Sequence, residues 1–185
     1  MSGGVLFLDL ATKAGVAFPG SERGRPLTVL WRLPKVEGDS ENGREYGALF
    51  GDFRRRLVEQ IGIVRPDAIG FEAAINVMGR GGPLERHVTS QSTIRVLYGL
   101  VTLAEEVAWT MNIRTYECAI SSIKKHVTGS GRADKRDVMR AMTRLGVDHG
   151  NDDNRADAAA GFYFLSSMIN PKFAPASTPL FGRRA

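Results

Sequence analysis

A single cysteine, Cys118, in 185 residues excludes an intrachain disulfide framework. The expectation is an intracellular protein of a reducing compartment. The three histidines, His87, His126 and His149, are scattered, so clustered nitrogen and sulfur ligands of a zinc site are lacking. No stretch approaches the ~20 consecutive apolar residues of a membrane helix. The opening Met1-Ser-Gly-Gly carries neither a basic segment nor a cleavage signal, so neither secretion nor a membrane partner is expected. There is no internal repeat and no excess of acid: 25 Lys and Arg stand against 20 Asp and Glu, a net charge of +5. The resulting pI of about 9.7 favours a polyanionic partner. Hydrophobic residues at 43% and charged residues at 24% exclude a disordered chain. The length suits one domain that buries roughly 70% of its unfolded surface.

What is present reads as alternating short strands and amphipathic helices. Val5 to Leu10 is an apolar run too short for a helix, and it predicts a buried strand. Gly15–Phe18 and Leu27–Leu33 predict two more strands, joined by short turns into an antiparallel meander. Tyr46, Leu49, Phe53, Leu57 and Ile61 recur at helical spacing, and Pro66 ends that helix. Asp67–Ala73 predicts a fourth strand, and Asn76–Gly82 a glycine-rich loop. A long helix, capped by Thr89 or Ser90, runs through Ala108 with a stripe at Ile94, Leu97, Leu100, Val101, Ala104 and Ala108. Ile113–Glu117 predicts a fifth strand. Helices over Ala119–Val127, Asp134–Leu145 and Asp152–Met168 follow. Residues 1–169 form the expected domain, and residues 170–185, with three of the eight prolines, a flexible tail. The order β-β-β-α-β-α-β-α-α-α predicts an α/β fold, a mixed sheet covered by helices.

Two of these strands carry an acid where apolar residues are expected. Asp9 lies between Leu8 and Leu10, and Glu72 ends the run AIGFE. A buried carboxylate is costly unless it is paired, hydrogen-bonded or bound to a metal. For either acid alone, a strand end turned to solvent is the plain alternative. A third acidic segment, DDNRADA from Asp152, opens the last helix, where Asp153 and Asp157 share a face. Helix capping accounts for Asp152 or Asp153 but less well for Asp157, which lies deeper among alanines that suit close packing on a sheet. Acids converging from two strands and one helix would repel one another without a counter-ion. All-oxygen ligands favour Mg²⁺ or Mn²⁺, and two such ions activate water and stabilise the leaving oxygen in phosphodiester cleavage. Between Ile123 and Lys135 lies a glycine-bearing basic loop, in which Lys124, Lys125, Arg132, Lys135 and Arg136 supply charge for phosphate.

Four segments, LFLDLATKAGVAF, AIGFEAA, IKKHVTGSGRADK and DDNRADAAAGF, within residues 5–165, together resemble the RuvC-type Holliday junction resolvases of the ribonuclease H-like superfamily. The similarity is greatest to the small phage and bacterial forms. The resemblance implies a ribonuclease H-like fold, a five-stranded mixed sheet of order 3-2-1-4-5 flanked by helices. It implies symmetric, metal-dependent nicking of two strands at a four-way DNA junction, leaving 5′-phosphate and 3′-hydroxyl ends, in the cytoplasm of a bacterial or phage-infected cell. By position it makes Asp9, Glu72 and Asp157 ligands of two Mg²⁺ or Mn²⁺ ions, and it places Lys124 and Lys135 at the junction phosphate.

Three positions depart from the family pattern. Asn154 stands where many members hold a fourth ligand, and Asp153, one residue earlier, is taken for that role. Arg155 stands where an acid is common and implies added positive charge near the cations. Ile75 replaces an aromatic that stacks into the junction, which leaves Val77 and Met78 as wedge candidates. Two-fold junction symmetry implies a homodimer, with its seam on the long helix at residues such as Val96 and Leu103. Arg80, Arg86, His87, Arg132 and Arg136, with Lys125, are the expected DNA contacts, giving salt-sensitive binding selected by shape. Three alternatives stay open at this point: a related nuclease acting on flaps, forks or packaging intermediates; a catalytically silent branched-DNA-binding relative; and an actin-like nucleotide binder.

Overall fold

The computed structural model describes residues 4–22, 24–36, 43–73 and 90–170. Strands β1 (Val5–Asp9), β2 (Lys13–Pro19) and β3 (Pro26–Arg32) form the meander. Helix α1 (Gly43–Val64) leads to β4 (Ala68–Glu72), and α2 (Gln91–Thr110) leads to β5 (Arg114–Cys118). Helices α3 (Ile120–Thr128), α4 (Lys135–Arg144) and α5 (Asp153–Ile169) complete the chain. The five strands form one sheet of order β3-β2-β1-β4-β5, antiparallel across β3-β2-β1 and parallel across β1-β4-β5. This is the expected architecture. The forecasts at Ile75, Val77, Met78, Arg80, Arg86 and His87, the glycine-rich loop and nearly all of the tail lie outside the described residues.

Local signals set the element ends. Arg65 takes a left-handed conformation (φ 49°) after α1, and Pro66 follows, which forbids another helical turn. Ser90 Oγ accepts from Thr93 N–H at 3.2 Å at the start of α2. Asp134 and Asp137 form a reciprocal capping box on α4. Asp152 caps α5 by accepting from Arg155 N–H at 3.1 Å.

Strand alternation divides the core in two. Leu6, Leu8, Ile69 and Phe71 face α1 and α2, where they pack with Leu49, Phe53, Leu57 and Leu100. Val5 and Phe7 face the other way, against α3, α4 and α5, among Met142, Ala159 and Leu165. Because β1 and β4 are covered on both faces, their sequences read as continuous apolar runs. The stripe expected on α2 is corrected. Val96, Leu100, Ala104, Val107 and Ala108 are the buried positions, while Ile94, Leu97 and Val101 are only partly buried. Packing against both the sheet and α1 turns the covered sector towards Val96 and Val107.

Helix α5 lies unusually near the sheet, as its alanines suggest. A Cβ on Gly15 would stand 1.9 Å from the Asn154 carbonyl oxygen, and one on Gly161 would stand 2.0 Å from the Phe7 ring. The Gly15 contact is with backbone, which side-chain repacking cannot relieve. Gly15→Ala is therefore expected to destabilise the fold by about 1–3 kcal/mol, read as a lower urea midpoint at unchanged slope. An unchanged midpoint would show that α5 is not seated on β2 at this point.

Candidate active site

The same close seating assembles the charged groups. Asp9 is the last residue of β1 and lies opposite Gly15 of β2. Leu8 pairs with Phe71 in parallel register, so the next residues, Asp9 and Glu72, are neighbours at the ends of adjacent strands. Alternation puts Asp9 on the face of Phe7, and Glu72 on the face of Gly70, whose missing Cβ would meet Leu165 of α5 and the Phe7 ring. Asp157 comes down onto this point from α5, one turn inside the helix whose first turn rests on Gly15. Both strand-end acids thus turn towards α5 rather than to solvent.

Burial and mutual repulsion are visible in their proton affinities. The Asp9 carboxyl is pushed up to about 8, chiefly by burial and then by the charges of Glu72, Asp157 and Asp153. Glu72 is pushed up to about 7 by burial and by Asp157, against the pull of Lys124 and Lys135. Asp157 is raised to about 6 by burial, opposed by the same two lysines. Asp153 behaves differently. It is half-exposed, ion-paired with Lys135, and held below the ordinary carboxylate range by that hydrogen bond.

The lysines approach from α3 and α4. Lys124 Nζ donates to the Ala133 carbonyl at 2.9 Å, which ties α3 to the loop before α4. Lys135, in the first turn of α4, meets Asp153 and lies in the field of Asp9 and Asp157. Asp9, Glu72, Asp153, Asp157, Lys124 and Lys135 therefore share one end of the sheet, whereas Lys125, Arg132 and Arg136 are exposed outside that cluster. Among the described residues, no three His, Cys, Asp or Glu side chains close to metal-holding geometry. The carboxylates stand at electrostatic range of one another and of Lys124 and Lys135. Their chemistry still fits hard divalent cations: hard oxygen donors, buried, and short of positive charge.

Arg155 corrects an expectation. Instead of adding charge beside the carboxylates, its guanidinium donates from Nε to Thr28 Oγ1 at 2.9 Å, and from one terminal nitrogen to Thr28 O at 3.1 Å and Asp148 O at 2.9 Å. It straps the start of α5 to β3 and to the turn before α5. The sequence carries no signal for this, because two of its three acceptors are backbone carbonyls and Thr28 is 127 positions away. No helix among the described residues is long and apolar enough to cross a membrane.

No protein-family model and no curated protein matches the sequence. Solved structures do match the fold. RuvC of Thermus thermophilus aligns with a TM-score of 0.62 at 17% identity, covering 89% of this chain and 96% of that one. The same protein in complex with a Holliday junction substrate aligns with a TM-score of 0.65 at 16% identity, covering 91% and 96%. The yeast mitochondrial Holliday junction resolvase Ydc2 aligns with a TM-score of 0.58 at 9% identity, covering 94% and 83%. The chain has the RuvC-like fold.

Proposed function

We propose that this protein is a divalent-metal-dependent endonuclease that nicks branched DNA, with a four-way junction as its substrate and a homodimer as its working unit. The observation that carries this reading is the convergence of Asp9, Glu72 and Asp157 from β1, β4 and α5 on one part-buried end of the sheet, with proton affinities raised chiefly by burial. The likeness to RuvC, one of whose structures holds a Holliday junction, supports the choice of substrate.

In this reading Asp9, Glu72 and Asp157 would hold two Mg²⁺ or Mn²⁺ ions, with Asp153 completing the donor set. When bound, such ions activate water and neutralise charge on the leaving oxygen of a phosphodiester. The protein's own residues position the substrate. Lys124, braced by the Ala133 carbonyl, holds a fixed positive charge beside Glu72 and Asp157. Lys135 is ion-paired with Asp153 in an exposed bond that contributes little to stability, and it would meet phosphate charge if Asp153 served as a ligand. The products are 5′-phosphate and 3′-hydroxyl ends.

The test is incubation with labelled junction, fork, flap and duplex in Mg²⁺, Mn²⁺ or EDTA. Paired symmetric nicks in the junction, abolished by EDTA, are expected. Equal cutting of flaps and forks would move the substrate to branched DNA in general. Binding without cutting in either metal would leave a silent relative.

Paired nicks need paired sites. Val96 does not fit the seam forecast for it, since it is only 6% exposed inside the core, and Leu103 packs against the same core. The outward face of α2 instead presents Tyr98, 51% exposed, flanked by the partly buried Ile94 and Leu97. These lie at helical spacing and form the proposed seam. In analytical ultracentrifugation the wild type is expected to sediment as a dimer at micromolar concentration, and Tyr98→Glu as a monomer that makes single nicks. A monomeric wild type would remove the dimer from the proposal.

A further inference from the structure

The loop between α3 and α4 has two sides. On one, the Ala133 carbonyl braces Lys124 beside the carboxylates. On the other, the loop and α4 wall an open cavity of about 660 Å³, whose lining includes Arg132, Arg140 and Arg144. Arg140 and Arg144 are one helical turn apart on the same face of α4, roughly 6 Å along its axis. Arg132 enters from the loop. The one acid in the lining, Asp137, pairs with Arg140. Among the described residues no carboxylate lies within ion-pair distance of Arg132 or Arg144. Three arginines against one aspartate leave the cavity with a surplus of two positive charges.

The loop is also held in shape. Thr128 Oγ1 donates to Lys124 O at 2.8 Å and accepts from Ser130 N–H at 3.1 Å, while Ser130 Oγ accepts from Arg132 N–H at 3.3 Å. Gly129 closes α3 in the left-handed conformation (φ 84°) that a residue with a side chain resists. A fixed loop that presents Arg132 beside Arg140 and Arg144 of α4 suits planar, doubly hydrogen-bonded recognition of phosphate oxygens.

We propose that this cavity is a second phosphate site, which takes the sugar-phosphate backbone of a DNA arm continuing beyond the scissile phosphate. The inference rests on the nuclease reading for its ligand, but its test does not use cleavage. Binding of fluorescent junction and duplex is measured by anisotropy in EDTA over a range of salt. The paired substitution Arg140→Gln with Arg144→Gln is expected to weaken binding about tenfold or more and to lower the slope of log K against log salt by about 1 for each phosphate no longer neutralised. Arg132→Gln alone gives a smaller change of the same sign. Arg65→Gln with Arg114→Gln removes equal charge at the opposite end of the sheet and is expected to change binding much less. If the α4 pair binds like wild type, or if the distant pair weakens binding equally, the cavity is not a phosphate site. Wild type that binds in EDTA yet never nicks in Mg²⁺ or Mn²⁺ would sink the nuclease reading and leave the cavity standing.

Discussion

Asp9→Asn is expected to leave junction binding intact and to lower nicking by at least about 10²–10³-fold, the scale seen when one preorganised electrostatic group is removed from a site. The substitution keeps the shape of the side chain and removes its charge. That charge sits where β1 ends, beside Glu72 in register and beneath Asp157 of α5, so it is the one carboxylate whose proton affinity is raised by all three of the others. In the proposed reading it is therefore the group most central to both cations. Folding should survive, because a neutral amide at this buried point repels none of its neighbours. DNA affinity in EDTA should hold, since without metal the Asp9 carboxyl keeps its proton up to about 8 and the substitution changes little charge near neutral pH. Quenched nicking assays with anisotropy on the same junction measure both halves. Nicking by Asp9→Asn at the wild-type rate in millimolar Mg²⁺ would remove Asp9 from the mechanism. Loss of binding in step with loss of cutting would show a damaged fold instead.

Much of this site is legible in the amino-acid sequence, for a physical reason. A carboxylate inside an apolar run is an exception to the burial rule, and Asp9 and Glu72 break it at matching places in two strands. Small residues on α5 announce close packing, and Gly15 and Gly161 show where that packing is tightest. The helices are legible because their apolar residues repeat at helical spacing, and β1 and β4 because they are short continuous apolar runs. Features that depend on the third dimension are not. The buried face of α2 turns towards Val96 because the helix is wedged between the sheet and α1, which periodicity alone does not report. Arg155 reads as a charge for the site, yet it is a strap whose partners lie on β3 and in the turn before α5. The Lys135–Asp153 pair joins two forecast site residues to each other, a pairing that spacing along the chain does not encode.

The metal-free protein is expected to lose stability as pH rises from about 5 to 8, and divalent cations are expected to restore it. Asp9, Glu72 and Asp157 hold their protons up to about 8, 7 and 6 in the fold. The unfolded chain releases them in the ordinary carboxylate range. Between those limits the folded state binds more protons, so unfolding becomes easier with each step up in pH. The contribution is complete below the ordinary carboxylate range and is gone above about 8. His126 works the other way, because burial lowers its proton affinity and its contribution grows as pH rises through the histidine range. It is one group against three, so the net slope stays negative. Asp153, held low by Lys135, loses its contribution only in stronger acid, outside this window.

Cations that bind the ionised carboxylates reverse the sign, because they compete with the protons and favour the folded state that gathers the ligands. Thermal melts in EDTA should therefore fall between pH 5 and 8, and Mg²⁺ or Mn²⁺ should raise the melting temperature strongly at pH 8 and little at pH 5. Asp9→Asn should flatten the EDTA curve and shrink the metal effect, since it removes the largest of the three shifts. A metal-free melting temperature that climbs across this range, or one that Mg²⁺ and Mn²⁺ leave unmoved at pH 8, would mean that the three carboxylates do not share a buried cation site.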